Sequence, residues 1–260
     1  MAEPGQRPGG ELQTRTVIGI ALITVALAAL IAGGPLFWLL AAVAGILMQA
    51  EWADLANASP NDRRLSLFAV SVPLAILSPF AAGPSYISLA LMAAAFLFIS
   101  LICRSARLGA GIYYVGLPVL ALLYLRGHDH GLLLAFWALG LVWATDIGAF
   151  FAGRSLGGPK LAPAISPSKT WAGLGGGVAA ALLFGFILHG ILDLPVRLAA
   201  ASGLLAVAAQ IGDLFESWLK RLAGVKDSGS FLPGHGGVLD RLDGVVTVAP
   251  IAALLVASGW

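Results

Sequence analysis

The pattern of hydrophobic positions divides this chain into long apolar runs separated by short polar segments. Runs such as 17–32 and 65–82 are apolar on every side of a helix and leave no polar face for water. A helix needs about 17 to 25 such residues to cross a bilayer. The alternation that is typical of membrane β-barrel strands is missing from these runs. The pattern therefore predicts an all-α, polytopic integral membrane protein.

We count about nine predicted transmembrane helices. Their approximate bounds are 16–33, 35–51, 65–82, 85–103, 109–126, 131–152, 172–190, 196–213 and 243–259. Residues 1–15 contain prolines, glycines and charges of both signs without an apolar stripe, and we expect a disordered cytoplasmic tail there. Residues 16–260 are predicted to form a single transmembrane domain that would also hold any catalytic site.

Composition agrees with this reading. Hydrophobic residues make up 59% of the chain and charged residues 11%, and the mean hydropathy is +0.92. A soluble domain carries roughly 25% charged residues. The single cysteine, Cys103, excludes an internal disulfide, and we expect it to be a small buried residue near a helix end.

The charges predict an orientation for the nine helices. If the N-terminus is cytoplasmic, only Arg126 and Arg197 of the 15 lysines and arginines fall on the outer side. Short cytoplasmic loops carry an excess of such residues, so the cytoplasmic N-terminus is favoured. The charged stretch 212–243 then faces the cytoplasm. The expected location is the cell membrane, with many passes through it.

Candidate chemistry is concentrated in this stretch. Asp213, Glu216, Ser217 and Lys220 are spaced to share one face of a helix. Five of the 13 carboxylates lie between 212 and 243, in company with lysines, arginines and several glycines. Carboxylates suit Mg²⁺, cations suit phosphate, and glycines let a backbone approach a phosphate closely. The plainer alternative is a solvated helix end followed by a flexible loop.

Asp146 is a second candidate because it lies within an apolar run. A carboxylate inside a membrane span is costly unless it is paired or functional. The structural alternative is a pairing with Arg154 or a neighbouring hydroxyl that would join two helices. His128, Asp129 and His130 have metal-ligand chemistry, but the predicted orientation puts them on the outer side, where a solvated turn is expected.

The stretch from 217 to 243 reads SWLKRLAGVKDSGSFLPGHGGVLDRLD. It resembles the sequence pattern of the phosphatidate cytidylyltransferase (CDP-diacylglycerol synthase) family at more than a dozen fixed positions. A second polar block also resembles the family, with DIGAFFAGR at 146–154 and ISPSKTWAG at 165–173. Ala172 departs from the family pattern, in which glutamate is usual. The resemblance therefore extends to Lys169 and Thr170 but to no carboxylate at 172.

The resemblance implies an enzyme that transfers CMP from CTP to phosphatidic acid and releases pyrophosphate. It implies Mg²⁺, with K⁺ as a possible companion, and a possible homodimer; the partners are CTP, phosphatidic acid and the bilayer, and no nucleic acid is expected. The expected catalytic residues are Lys220, Lys226, Asp227, His235 and Arg241. Substrate binding is expected from Asp146, Lys169, Thr170 and Ser217, and metal binding from Asp213, Asp240 and Asp243.

Two other classes of protein are compatible with a polar cluster among apolar helices. A secondary transporter would show interrupted helices in two repeated halves, whereas the polar residues here gather toward one predicted face. A different lipid-head-group enzyme, such as a polyprenol kinase or a CDP-alcohol phosphotransferase, is the second. The spaced aspartate pattern of the phosphotransferases is not found between 212 and 243.

Overall fold

The computed structural model describes residues 8–231 and 236–259, with side chains described from residue 18 onward. Within these ranges the chain forms nine α-helices and one small sheet. The helices are α1 (Pro8–Ala32), α2 (Gly34–Leu55), α3 (Pro60–Ile76), α4 (Tyr86–Ile102), α5 (Ala106–Gly127), α6 (Gly131–Leu156), α7 (Trp171–Leu192), α8 (Val196–Leu222) and α9 (Leu239–Ala257). The all-α fold predicted from the sequence is confirmed.

The helices have the character of a membrane bundle. Five of them, α2, α5, α6, α7 and α8, are long and apolar enough to cross a bilayer, and shorter apolar helices lie at Ile18–Ala32 and Tyr86–Ile102. Large apolar side chains cover the outside of the bundle, including Phe68, Leu101 and Ile191. Such a surface is suited to lipid rather than to water. The total of nine membrane crossings stays a prediction.

Several helix ends differ from the ends of the predicted membrane spans. The first helix begins at Pro8, so residues 8–15 are helical, not part of a disordered tail; residues 1–7 lie outside the described part. Helix α3 ends at Ile76 rather than at 82, shortly before Pro79, which cannot donate a backbone hydrogen bond. Helix α8 continues to Leu222, where Lys220 and Arg221 lie in the last turn and favour the negative end of the helix dipole.

A two-stranded antiparallel sheet between α6 and α7 was not predicted. Strand β1 spans Lys160–Ala162 and pairs with β2, which spans Ser166–Thr170. Lys160 pairs with Thr170, and Ala162 pairs with Ser166, with an irregularity between them. The hairpin leads directly into α7 and fixes the position of Lys169 and Thr170.

Glycines bring α6 and α7 into close contact. A side chain at Gly148 would place its Cβ 2.5 Å from the carbonyl oxygen of Gly176, and one at Gly177 would lie 2.9 Å from the carbonyl oxygen of Thr145. Close approach of this kind is the usual role of small residues between membrane helices. The packing at this crossing holds the hairpin and the end of α6 as one unit.

Five helices meet at one end of the bundle, which we call the polar end. The C-terminal ends of α2, α6 and α8 lie there with the N-terminal ends of α7 and α9, as shown by contacts from Glu51 to Val238 and from Lys169 to Asp213. At the opposite end, Arg126 Nε donates to the carbonyl oxygen of Leu30 at 2.7 Å. The residues predicted to carry chemistry are therefore concentrated at one end of the fold.

Candidate active site

Helices α8 and α9 converge at the polar end. Gly212 packs against the start of α9, where an added Cβ would lie 2.5 Å from the carbonyl oxygen of Asp243. One helix turn further into the bundle, Thr247 Oγ1 donates to the carbonyl oxygen of Ala208 at 2.8 Å. The two helices thus bring Asp213 and Lys220 beside the first turn of α9.

Lys220 and Asp240 form the central ion pair of this region. Lys220 Nζ lies 2.6 Å from Asp240 Oδ1 and 3.3 Å from Glu216 Oε1. The other oxygen of Asp240, Oδ2, accepts backbone N–H groups from Ser228 at 3.0 Å and Gly237 at 2.9 Å. Asp240 therefore connects α8, through Lys220, to both ends of the loop between α8 and α9.

These contacts keep Asp240 ionised. Burial alone would raise the pKa of its carboxyl group, but the hydrogen bonds from Lys220, Gly237 and Ser228 outweigh burial and lower the pKa to about 2. Hydrogen bonds to the charged form of a carboxylate have this effect. Asp240 is thus a fixed negative charge at the start of α9, and both of its oxygens already have partners.

A second group of charges lies one turn deeper. Lys169, carried by β2, forms an ion pair with Asp213 and donates to Gln210 Oε1 at 2.8 Å. The carboxylates of Asp146, Asp213 and Asp243 interact electrostatically with one another and with Lys169. The hairpin therefore supplies a single ammonium group to three carboxylates from α6, α8 and α9.

Asp146 and Asp213 reach the surface of the bundle. Asp146 is exposed and the side chain of Asp213 is 28% exposed. Ser217 Oγ donates to Asp213 Oδ1 at 3.3 Å, which places this hydroxyl beside the partly exposed carboxylate of Asp213. The predicted alternative partner of Asp146, Arg154, instead lies 6.0 Å from the ring centre of Phe150.

Glu216 is fully buried between the two groups of charges. Its side chain has no exposed surface, and neither carboxylate oxygen has a hydrogen-bond partner among the described residues, although Lys220 lies at ion-pair distance. Glu216 also interacts electrostatically with Asp243 and Asp240. The spacing along the sequence predicts that Glu216 shares a helix face with Asp213 and Lys220, but it predicts no role for Glu216.

Glu51 was missed by the sequence analysis. It lies near the end of α2 and is completely buried. Its carboxylate accepts hydrogen bonds from Ser228 Oγ at 2.9 Å and from the backbone N–H groups of Val238 and Leu239, each at 2.8 Å. A lone carboxylate at the end of an apolar run is the sequence signal that could have identified it.

The other predicted residues have different surroundings. Thr170 is buried and accepts the N–H of Gly173 at 3.0 Å, so its hydroxyl caps α7. Lys226, Asp227 and Arg241 are exposed at the polar end. His235 lies outside the described residues, so the structure says nothing of the role predicted for it.

A metal-binding arrangement is only partly formed by these residues. Across 8–231 and 236–259, no three histidine, cysteine, aspartate or glutamate side chains are grouped as a metal site. Asp213 and Asp243 lie close enough to interact, whereas Asp240 is directed to Lys220 and to two backbone N–H groups. The metal-binding role of Asp240, like those of Asp213 and Asp243, stays a prediction.

The fold is a bundle of long apolar helices with charged residues gathered at one end. The sequence model described as "Cytidylyltransferase family" matches residues 13–258, and the chain belongs to that family. The phosphatidate cytidylyltransferase of Brucella suis biovar 1 (strain 1330) is 40% identical over 249 residues, which cover 94% of this chain and 92% of the relative. The family resemblance inferred from the polar stretch 217–243 is confirmed.

Other relatives carry the same name. The phosphatidate cytidylyltransferase of Rickettsia bellii (strain RML369-C) is 30% identical over 249 residues, covering 92% of this chain and 88% of the relative. That of Bacillus subtilis (strain 168) is 44% identical over 148 residues, or 55% of each chain.

Proposed function

We propose that this protein transfers CMP from CTP to phosphatidic acid and so forms CDP-diacylglycerol and pyrophosphate. The observation that carries the proposal is the meeting of α6, α8, α9 and the β1–β2 hairpin around Lys169, Lys220 and their carboxylate partners, in a chain of the cytidylyltransferase family. The relatives that cover almost its whole length are named for this activity.

The reaction requires little proton transfer. A phosphate oxygen of phosphatidic acid attacks the α-phosphorus of CTP, a new phosphorus–oxygen bond forms, and the bond to the β-phosphate oxygen breaks as pyrophosphate leaves. The nucleophile is already ionised, so the protein must mainly neutralise charge and hold the reactants in line. We assign phosphate binding to Lys169, Lys220, Lys226 and Arg241, with Asp227 and Ser217 beside them.

The acidic residues fit a divalent cation. Lys169 pairs with Asp213 and interacts electrostatically with Asp146 and Asp243, and the buried oxygens of Glu216 lack a hydrogen-bond partner among the described residues. Mg²⁺ typically takes one or two carboxylates and completes its shell with water and substrate phosphates. We propose that Asp213 and Asp243 hold it, where it would offset charge on the phosphates of CTP. K⁺ and a homodimer stay predictions from the family resemblance.

Phosphatidic acid must reach this site from within the bilayer, because its acyl chains stay in hydrocarbon. The exposure of Asp146 on α6 and of Asp213 on α8 supports a lateral opening between these helices. We propose that the lipid head group enters there. The distribution of lysines and arginines along the sequence supports a cytoplasmic orientation of the polar end, in the cell membrane.

The activity is tested with the purified full chain in detergent or proteoliposomes. CTP consumption is measured with phosphatidic acid, with polyprenol, with CDP-diacylglycerol and without lipid. Of these four conditions, only phosphatidic acid is expected to support CTP consumption. This activity should be lost when EDTA removes divalent cations. Asp213→Asn should abolish most turnover, and Asp129→Asn, an exposed carboxylate at the opposite end, is the matched control.

The other outcomes separate the alternatives. Consumption with polyprenol and not with phosphatidic acid would favour a lipid kinase. Uptake of a solute into proteoliposomes without CTP turnover would favour a transporter. Either result would contradict the proposed reaction.

A further inference from the structure

The buried carboxylate of Glu51 joins two distant parts of the chain. Its oxygen Oε1 accepts the N–H of Val238, and Oε2 accepts both Ser228 Oγ and the N–H of Leu239, all at 2.8–2.9 Å. Three hydrogen bonds to one carboxylate offset part of the cost of burying it. Glu51 therefore links the C-terminal part of α2 to the loop between α8 and α9.

The three donors come from both ends of the loop between α8 and α9. Ser228 lies at its start, and Val238 and Leu239 lie where α9 begins. Asp240 receives N–H groups from the same two ends, through Ser228 and Gly237. Two carboxylates, Glu51 of α2 and Asp240 of α9, therefore each link Ser228 to the residues at the start of α9.

Two glycines of the loop leave space for the Glu51 carboxylate. A Cβ at Gly229 would lie 2.6 Å from Oε1, and a Cβ at Gly237 would lie 2.6 Å from Oε2. No side chain can be accommodated at such distances without movement of the loop or of α2. The glycines are therefore explained by the close approach of the backbone to Glu51, without reference to a bound phosphate.

We propose that Glu51 is a positioning residue that holds the α8–α9 loop in its active arrangement. The proposal rests on the proposed function, because the loop carries Lys226 and Asp227 and connects through Asp240 to Lys220. Glu51 itself touches no group assigned to the substrate. We expect loss of Glu51 to displace Lys226 and Asp240 from their positions at the site, and so to change kcat and the KM for CTP.

The test compares Glu51→Gln, Glu51→Asp and Asp54→Asn with the wild-type chain. Glutamine keeps the size of the side chain but turns an –NH₂ group toward backbone donors, whereas aspartate keeps the charge. Asp54→Asn removes a carboxylate from the same end of α2, where Asp54 is 54% exposed and pairs with Arg63. We expect Glu51→Gln to lower kcat/KM for CTP by about tenfold or more, since unpaired buried donors remain. Glu51→Asp should recover part of the loss.

Hydrogen exchange gives a readout that is independent of activity. In Glu51→Gln the amides of Val238 and Leu239 should exchange at least about tenfold faster, because local opening of the loop governs their exchange. Peptides from α5 should be unchanged, which a general loss of stability would not allow. Ser228→Ala should cost less activity in the Glu51→Gln background than in wild type, because the two substitutions disrupt the same contact.

Normal kcat/KM in Glu51→Gln, or normal exchange at Val238 and Leu239, would overturn the proposal. Faster exchange throughout the bundle would also overturn it, because Glu51 would then only stabilise the fold. If the wild-type chain itself forms no CDP-diacylglycerol, the proposed function fails, and the exchange experiment still decides whether Glu51 holds the loop.

Discussion

Replacing Asp240 with asparagine tests how the polar end is assembled. The substitution keeps the shape of the side chain and leaves one oxygen for the N–H groups of Ser228 and Gly237. It removes the charge that faces Lys220 Nζ at 2.6 Å, in a pair whose side chains are only 15% and 8% exposed. Lys220 then retains only Glu216 as an acidic partner among the described contacts.

The size of the effect follows from this contact. A hydrogen bond to a charged group contributes about 1.5–3 kcal/mol, and the upper value applies when both partners are shielded from water. A loss of about 3 kcal/mol in transition-state stabilisation lowers the rate by roughly a hundredfold. We therefore expect Asp240→Asn to reduce CTP-dependent formation of CDP-diacylglycerol at least about a hundredfold.

The assay measures CDP-diacylglycerol formed by the purified variant over a range of Mg²⁺ concentrations. Asp240 contacts Lys220 and two N–H groups of the loop. If it acts through these contacts and not as a cation ligand, the Mg²⁺ concentration for half-maximal activity should not change. The fold-loss of activity in the double variant Asp240→Asn/Lys220→Met should be smaller than the product of the two single fold-losses, because both changes disrupt the same pair. Normal turnover in Asp240→Asn, or a strong shift in Mg²⁺ dependence, would refute this reasoning.

Three further predictions concern other parts of the site. Asp213→Asn and Asp243→Asn should each raise the Mg²⁺ requirement about tenfold or more, since each removes a proposed ligand; an unchanged Mg²⁺ titration would exclude the residue as a ligand. Thr170→Ala should lower the free energy of unfolding by about 1 kcal/mol through loss of the α7 cap, seen as a lower melting temperature, and Thr170→Ser should restore it. Gly148→Leu should prevent close packing of α6 on α7 and reduce the yield of folded protein, whereas the same change at the open Gly175 should not.

Much of the fold could be predicted because lipid imposes a simple rule on sequence. A span must be apolar on every side, so the runs that became α2, α5, α6 and α7 were visible without tertiary information. Helix α8 extends beyond its predicted membrane span because its last turns are amphipathic, with Lys220 and Arg221 beside buried Leu219, in agreement with the helical spacing from Asp213 to Lys220. The β1–β2 hairpin was not predicted because its strands are short and show no alternating apolar pattern, and because Pro163 lies between the strands and Pro167 within β2.

The residue types of the site could be predicted, but their partners could not. Spacing placed Asp213 and Ser217 on one face of α8, and the structure joins them by a hydrogen bond. Lys220 and Asp240 are separated by a loop whose path does not follow from the sequence. Helical periodicity therefore cannot predict their pairing. Glu51 is farther still from its partners, 177 residues from Ser228 along the chain. Only the packing of α2 beside α9 reveals that contact.

The most direct test of the proposed reaction follows the two ends of the triphosphate separately. The purified protein is incubated with phosphatidic acid and CTP labelled either in the α-phosphate or in the γ-phosphate. Transfer of CMP predicts that only the α-label enters the lipid, with one pyrophosphate released for each CDP-diacylglycerol formed. Entry of the γ-label into lipid would show phosphoryl transfer and would contradict the account, as would the absence of any labelled lipid.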